Sequence, residues 1–317
     1  MESLYSTLIS ECDTLKAKIS AFLRQHTKIN VVPGSTRRVR SNRPVDRMMR
    51  GMPNFLPPGA FETTVVIIGS QSWAALDDAG RSAQSDLLKD FRPYKEILTE
   101  IIRGRPATTA GEIEASITEV GEIIGQSGCL AQETVGEVTS AVCAELDKQM
   151  RLLGAFANKS DGLPILVADT NALYHNPALE TWAFGEIPEF HLAVLTPVLE
   201  ELDRHKEDSR NVERQKKAQR IIKQIKEYRR RGDIQRGVPL RREVSTFIAP
   251  VVDRPQSLPL LNPEVADNRI LMGCFELARQ RLGCPVVLVT KDVNLQNLAD
   301  YLRLPYCEPP APNPGNS

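Results

Sequence analysis

The sequence predicts an α/β domain on a parallel sheet, preceded by an α-helical domain. Three observations carry this. The first half holds long stretches of helical periodicity, the second half alternates short apolar runs with helical patterns, and a polar turn, Asn158-Lys159-Ser160-Asp161-Gly162, separates them. Strands alternating with helices imply a parallel sheet joined by right-handed crossovers. The expected division is an α-helical accessory domain over 1–160, an α/β domain over 161–308, and a disordered tail over 309–317; the last thirteen residues, 305–317, hold five prolines.

Residues 3–25 read as a helix, because Leu8, Leu15 and Phe22 recur every seven, as do Cys12 and Ile19. Such a helix suits a bundle or a short dimerisation contact, so the N-terminal helices are candidates for self-association. Residues 31–60 carry Pro33, Pro44, Pro53, Pro57 and Pro58 with Gly34, Gly51, Gly59 and interleaved arginines, and the basic, Pro/Gly-rich stretch 28–60 is expected to be an irregular loop. The β-branched run 63–68 fits a strand or a buried helix segment. Three helices follow: Leu87, Phe91, Tyr94, Leu98 and Ile101; Ile113, Ile117, Val120 and Ile124, with Thr108 or Thr109 as N-cap; and Val135, Val138, Val142, Leu146, Met150 and Leu153. No catalytic motif stands in this half.

Beyond residue 162, strands are expected at 163–168, 192–196, 244–248 and 286–289. Helices are expected at 210–231, with Val212, Ile221, Ile222 and Ile225 inward, at 266–281, with Ile270, Leu271, Cys274, Leu277 and Ala278 on one face, and at 293–302.

Composition narrows the class. The chain has 317 residues, 41% hydrophobic and 25% charged, which excludes a fibrous or wholly disordered protein. No apolar run approaches the roughly 18 residues of a membrane helix, and the N-terminus lacks the basic and apolar regions of a signal peptide. Six cysteines without a Cys-x-x-Cys pair fit neither a disulfide framework nor a zinc finger. Buried free thiols in a reducing cytoplasm are the expectation. The net charge of zero conceals local blocks: +6 over 28–50, −6 over 51–160 and +10 over 204–242. Basic blocks are the usual footprint of a phosphate-rich partner. In helix 210–231, Arg210, Arg214, Lys217, Arg220 and Lys223 lie mostly on a solvent side and are the candidate nucleic-acid contacts.

In an open parallel sheet, sites form at the carboxyl ends of the strands. Asp169-Thr170-Asn171 follows the first strand, Pro197 and then Glu200-Glu201 follow the second, Asp267-Asn268-Arg269 begins a helix, and Thr290-Lys291-Asp292-Val293-Asn294 follows the last strand. Each acid alone has an ordinary explanation: Asp169 as a turn cap, Asp267 and Asp292 as N-caps, Glu200 and Glu201 as first-turn charges. Four at one edge point further. Clustered carboxylates raise one another's pKa unless a cation joins them, and the cation suited to an all-oxygen site is Mg²⁺ or Mn²⁺. Among the other side chains, His175, His191 and His205 lack metal-ligand spacing, and Tyr174, Trp182 and Phe184 suit packing better than base stacking.

Val167-Ala168-Asp169-Thr170-Asn171, Pro197-Val198-Leu199-Glu200-Glu201-Leu202-Asp203, Asp267-Asn268-Arg269-Ile270-Leu271 and Val289-Thr290-Lys291-Asp292-Val293-Asn294-Leu295 resemble, in order and spacing, the four motifs of the PIN-domain ribonucleases. The resemblance covers roughly 163–308. It implies a three-layer α/β/α fold and metal-dependent cleavage of single-stranded RNA to 5′-phosphate and 3′-hydroxyl products. It maps the acids to Asp169, Glu201, Asp267 and Asp292, with Glu201 chosen over Glu200 because it directly precedes Leu202. Asn171, Thr290 and Asn294 match supporting positions. One departure is Asn268, where many members carry a second acid.

On this reading Asp169, Asp267 and Asp292 would hold Mg²⁺ or Mn²⁺ directly or through water, and Glu201 would ligate it or orient the attacking water. The four carboxylates are expected to converge on one pocket. The alternatives are a non-cleaving RNA-binding or scaffold protein on the same fold, and a structure-specific DNA nuclease. A phospho-receiver domain does not fit the chain's size or its 204–242 block. A haloacid-dehalogenase phosphatase would need an aspartate where Asn171 stands.

Overall fold

The computed structural model describes residues 2–32, 35–40, 62–67, 70–128, 130–157, 162–185, 187–208, 210–234, 236–242, 244–249 and 261–312. The polar turn at 158–161, Cys129, residues 41–61 of the basic loop and 313–317 of the tail lie outside them. The chain divides into two compact units. One holds Met1–Leu15, Asp90–Thr118 and Glu145–Ser317, the other Lys16–Lys89 and Glu119–Ala144.

The N-terminal half is helical: α1 (Leu4–His26), α2 (Asp78–Ile102), α3 (Ala107–Gly125) and α4 (Val135–Ala157). The heptad residues Leu8, Leu15, Phe22, Cys12 and Ile19 of α1 are all buried. So are Leu87, Phe91, Tyr94, Leu98 and Ile101 of α2 and Ile113, Ile117, Val120 and Ile124 of α3. Helix α3 starts at Ala107, so Thr108 and Thr109 lie inside it rather than capping it. In the first unit a buried polar chain joins three helices. Tyr94 donates to Gln149 Oε1 at 2.9 Å, Gln149 Nε2 to Ser116 Oγ at 2.9 Å, and Ser116 to the Glu145 carbonyl at 3.1 Å. Burial otherwise leaves such groups costly, so the chain specifies how these helices register.

The expectation of an irregular loop through 31–60 is corrected where residues are described. β1 (Ile29–Val32) pairs antiparallel with β4 (Ser70–Trp73), and β2 (Ser35–Arg40) pairs antiparallel with β3 (Glu62–Ile67). Ile29, Val31 and Val32 are β-branched, and backbone pairing prevailed over the nearby Pro33 and Gly34.

The C-terminal half alternates as expected: β5 (Ile165–Ala168), α5 (Thr170–His175), β6 (Phe190–Leu195), α6 (Thr196–Glu207), α7 (Val212–Arg231), β7 (Val238–Arg241), β8 (Val244–Ala249), α8 (Ala266–Gln280), β9 (Val286–Val289), α9 (Val293–Tyr301) and β10 (Tyr306–Cys307). The sheet order is β10-β9-β5-β6-β8-β7, all parallel except the edge strand β7, which runs antiparallel to β8. Every residue of β5 and β9 is buried, so helices cover both faces, giving three α/β/α layers. From β5 the chain moves to β6 on one side, and β9 returns on the other. The crevice between β5 and β9 is therefore the topological switch point, where ligand sites of open α/β sheets form.

Two details differ from expectation. Val212 is 56% exposed, and the inner face of α7 is Ala218, Ile221, Ile225 and Tyr228. The tail is held in its described part: Pro309 is buried and Asn176 Nδ2 donates to the Pro310 carbonyl at 3.3 Å. Of the described cysteines, Cys12, Cys274 and Cys284 are buried thiols. Among the described residues no helix is long and apolar enough to cross a membrane.

Candidate active site

Asp169 ends β5 and caps α5. Its Oδ1 accepts the Ala172 N–H at 2.5 Å, and its Oδ2 accepts the Thr290 hydroxyl at 2.5 Å. The residue is only 2% exposed. Burial pushes its pKa up from 3.8 to about 6. The two hydrogen bonds oppose that rise, and the negative charges of Asp292 and Glu201 add to it. Thr290, fully buried at the end of β9, also accepts the Asp292 N–H at 3.0 Å, so one hydroxyl ties the β5 and β9 ends together.

Asp292 caps α9, its Oδ1 accepting from the Asn294 N–H at 2.8 Å and the Leu295 N–H at 3.4 Å. Asp267 stands in the first turn of α8 but does not cap it; that place belongs to Val265. The Asp267 pKa is raised, first by partial desolvation and then by the charges of Asp292 and Glu201. Asp292 and Glu201 thus act electrostatically on both Asp169 and Asp267. Glu201 accepts the Thr170 hydroxyl at Oε2, 2.6 Å away. Its neighbour Glu200 points elsewhere and pairs with Arg269 at 2.9 Å.

The supporting positions divide. Thr290 is central, as described. Asn171 and Asn294 are exposed on the first turns of α5 and α9. Of the basic candidates, Arg210 pairs with Asp208 at 2.9 Å and Lys217 with Glu213 at 3.1 Å. Arg214, Arg220 and Lys223 are exposed, and the charge of Arg214 acts on both Tyr174 and His205.

Three side chains at the site were not among the candidate site residues: Thr170, Tyr174 and His205. The Tyr174 hydroxyl lies 2.8 Å from His205 Nδ1, and His205 Nε2 lies 3.8 Å from Glu201 Oε1. Burial and the Glu201 charge push Tyr174 up to about 12, and burial pulls His205 below its ordinary value. The spacing of four between Glu201 and His205 on a helix was the available signal. Trp182 is fully buried, donates its Nε1–H to the Asn176 carbonyl at 2.9 Å and meets Phe184 edge-on, a packing role. His191 bonds Ser245 at the opening of β6 and β8, the edge away from the acids.

The donor set is all carboxylate and hydroxyl oxygen, the chemistry of a hard divalent cation. Among the described residues, however, no three His, Cys, Asp or Glu stand close enough together to hold one ion. Asp169 also has both oxygens engaged by hydrogen bonds.

No match was found among curated proteins. The family model described as PIN domain matches residues 166–308, a span that begins within β5 and ends just past β10. The N-terminal helical region has no family match. With the mostly parallel sheet, that match identifies residues 166–308 as a PIN-like α/β domain, a nuclease-type fold.

Proposed function

We propose that this protein is a metal-dependent endoribonuclease that hydrolyses phosphodiester bonds of single-stranded RNA, using Mg²⁺ or Mn²⁺. The observation that supports the reading is the charge that Asp292 and Glu201 exert on both Asp169 and Asp267, four acids contributed by four separate segments. A cluster of that charge costs folding energy without a cation, and a phosphodiester is itself anionic. A divalent cation bound there would neutralise non-bridging phosphate oxygens and acidify the attacking water.

The residues divide the work. Asp292 and Asp267 supply the more accessible carboxylates for metal contact. Asp169, locked by Thr290 and Ala172, would add its negative charge and reach a cation only through water. Glu201, steadied by Thr170, would ligate the cation or orient the attacking water. Water attacks phosphorus and gives its proton to Glu201 or solvent, the bond to the 3′ oxygen breaks, and that oxygen takes a proton from solvent and leaves as the 3′-hydroxyl. Arg214, Arg220 and Lys223 hold flanking phosphates; Arg210 and Lys217 join them by exchanging an acidic partner for a phosphate. The preference for single strands comes from the family resemblance.

A second reading has one observation in its favour. The absence of a three-ligand group among the described residues suits a protein that binds RNA without cutting it. Incubating the chain with single- and double-stranded RNA and DNA, in Mn²⁺, Mg²⁺ or chelator, separates these readings. Metal-dependent cutting of single-stranded RNA supports the proposal. Binding without cutting favours the scaffold reading, and cutting confined to DNA changes the substrate class.

A further inference from the structure

Glu201 has a different side chain at each oxygen. Thr170 Oγ1 donates to Oε2 at 2.6 Å, and His205 Nε2 faces Oε1 at 3.8 Å. Glu201 and His205 lie four residues apart on α6 and so share a helix face. The other imidazole nitrogen, Nδ1, lies 2.8 Å from the hydroxyl of Tyr174, which comes from α5, the helix that Asp169 caps. Glu201 and His205 are largely shielded, with side chains 26% and 18% exposed.

With the imidazole neutral, as burial favours, its one proton can be placed by comparing the two tautomers. A neutral imidazole carries one N–H. On Nδ1, it would leave the Nε2 lone pair facing the Glu201 carboxylate, a repulsive contact. On Nε2, its dipole faces Oε1, and Nδ1 is free to accept from the Tyr174 hydroxyl, a donor at neutral pH. The second arrangement satisfies both ends. At 3.8 Å the Nε2 contact is charge–dipole rather than a hydrogen bond, and a shift of about 1 Å would close it.

We propose that Tyr174 and His205 are positioning residues for Glu201. The tyrosine fixes the imidazole tautomer, and the imidazole restrains Oε1 while Thr170 restrains Oε2. The carboxylate then cannot swing away from the charge it shares with Asp169 and Asp267. Neither residue needs to touch RNA. This rests on the proposed nuclease reading for its consequence in cleavage, but the tautomer and its effect on cation binding are measurable without any substrate.

The test uses the full chain and the variants Tyr174→Phe, His205→Gln and the double variant. ¹⁵N spectra in chelator, with His205 assigned by its loss in His205→Gln, should show the Nε2–H tautomer in the wild type. The preference should weaken in Tyr174→Phe. Mn²⁺ binding by calorimetry, and kcat where cleavage is measurable, should fall roughly 10-fold in His205→Gln, less in Tyr174→Phe, with KM for RNA nearly constant. The double variant should be no worse than His205→Gln, since the tyrosine acts through the histidine. A wild-type Nδ1–H tautomer would overturn the proposal, as would additive losses, or unchanged Mn²⁺ affinity in both single variants. A wild type that binds Mn²⁺ but cuts nothing would defeat the nuclease reading alone, and the spectra and Mn²⁺ affinities would still decide the positioning roles.

Discussion

Replacing Asp169 with asparagine removes a charge that the apo fold holds at a cost. The carboxyl pKa is about 6 in the folded chain against an ordinary 3.8. A carboxyl raised that far has its charged form disfavoured by about 3 kcal/mol relative to its neutral form. Because the folded pKa lies above the unfolded one, the native state binds the extra proton between about pH 4 and 6. Stability therefore falls as pH rises through that window, and the full penalty is present above about pH 7. Asparagine still accepts the Ala172 N–H, but its amide nitrogen faces the Thr290 hydroxyl that Oδ2 now accepts. Losing that bond costs about 1 to 2 kcal/mol. The net expectation is a variant more stable than wild type by about 1 to 2 kcal/mol at about pH 7.5, and equal or less stable at about pH 4. The chain has two tryptophans, and Trp182 is buried in the α/β half. Denaturant unfolding in chelator, on a Trp73→Phe background, then reports that half through Trp182 fluorescence. A variant-minus-wild-type difference that does not change with pH would refute the argument, because only the Asp169 titration can supply the slope.

Other expectations follow from neighbouring contacts. Glu200→Gln should leave cleavage nearly unchanged and cost under about 1 kcal/mol, since its pair with Arg269 is partly solvent-exposed, whereas Glu201→Gln should lower cleavage by at least about 100-fold; equal effects would mean the wrong glutamate was chosen. Neutralising Arg214, Arg220 and Lys223 together should flatten the salt dependence of RNA binding by about two units of log–log slope, at roughly 0.7 per phosphate contact. A slope equal to that of wild type would make α7 a solvated face. Thr290→Val should lower stability by about 1 to 3 kcal/mol and reduce cleavage, because the Asp169 carboxylate and the Asp292 N–H both lose a partner. A melt identical to wild type would count against the bridging role.

Much of this was legible because burial on both faces writes itself as consecutive apolar residues. Ile165-Leu166-Val167-Ala168 and Val286-Val287-Leu288-Val289 announce central parallel strands, and the acids that follow them are placed by the sheet rather than by any contact. β7 was hidden because Pro239 interrupts a short edge strand, where proline is tolerated, and β10 because two residues carry no periodicity. The roles of Thr170, Tyr174 and His205 depend on how α5 lies against α6, which no local pattern encodes. The split between Glu200 and Glu201 was suggested by the family motif, and its physical origin is Arg269 on α8, visible only in three dimensions.

The central claim is that the switch-point carboxylates hold a cation that cuts RNA, and Asp292→Asn probes it most directly. Asparagine is as good an N-cap as aspartate, so α9 should keep its Asn294 and Leu295 hydrogen bonds while the site loses an anionic ligand. The measurement is cleavage of single-stranded RNA in Mn²⁺ by wild type and variant, with melting and RNA affinity taken on the same samples. The account predicts a fall in cleavage of at least about 100-fold, with melting and RNA binding retained. Wild-type cleavage by the variant, or cleavage by wild type that persists in chelator, would contradict it.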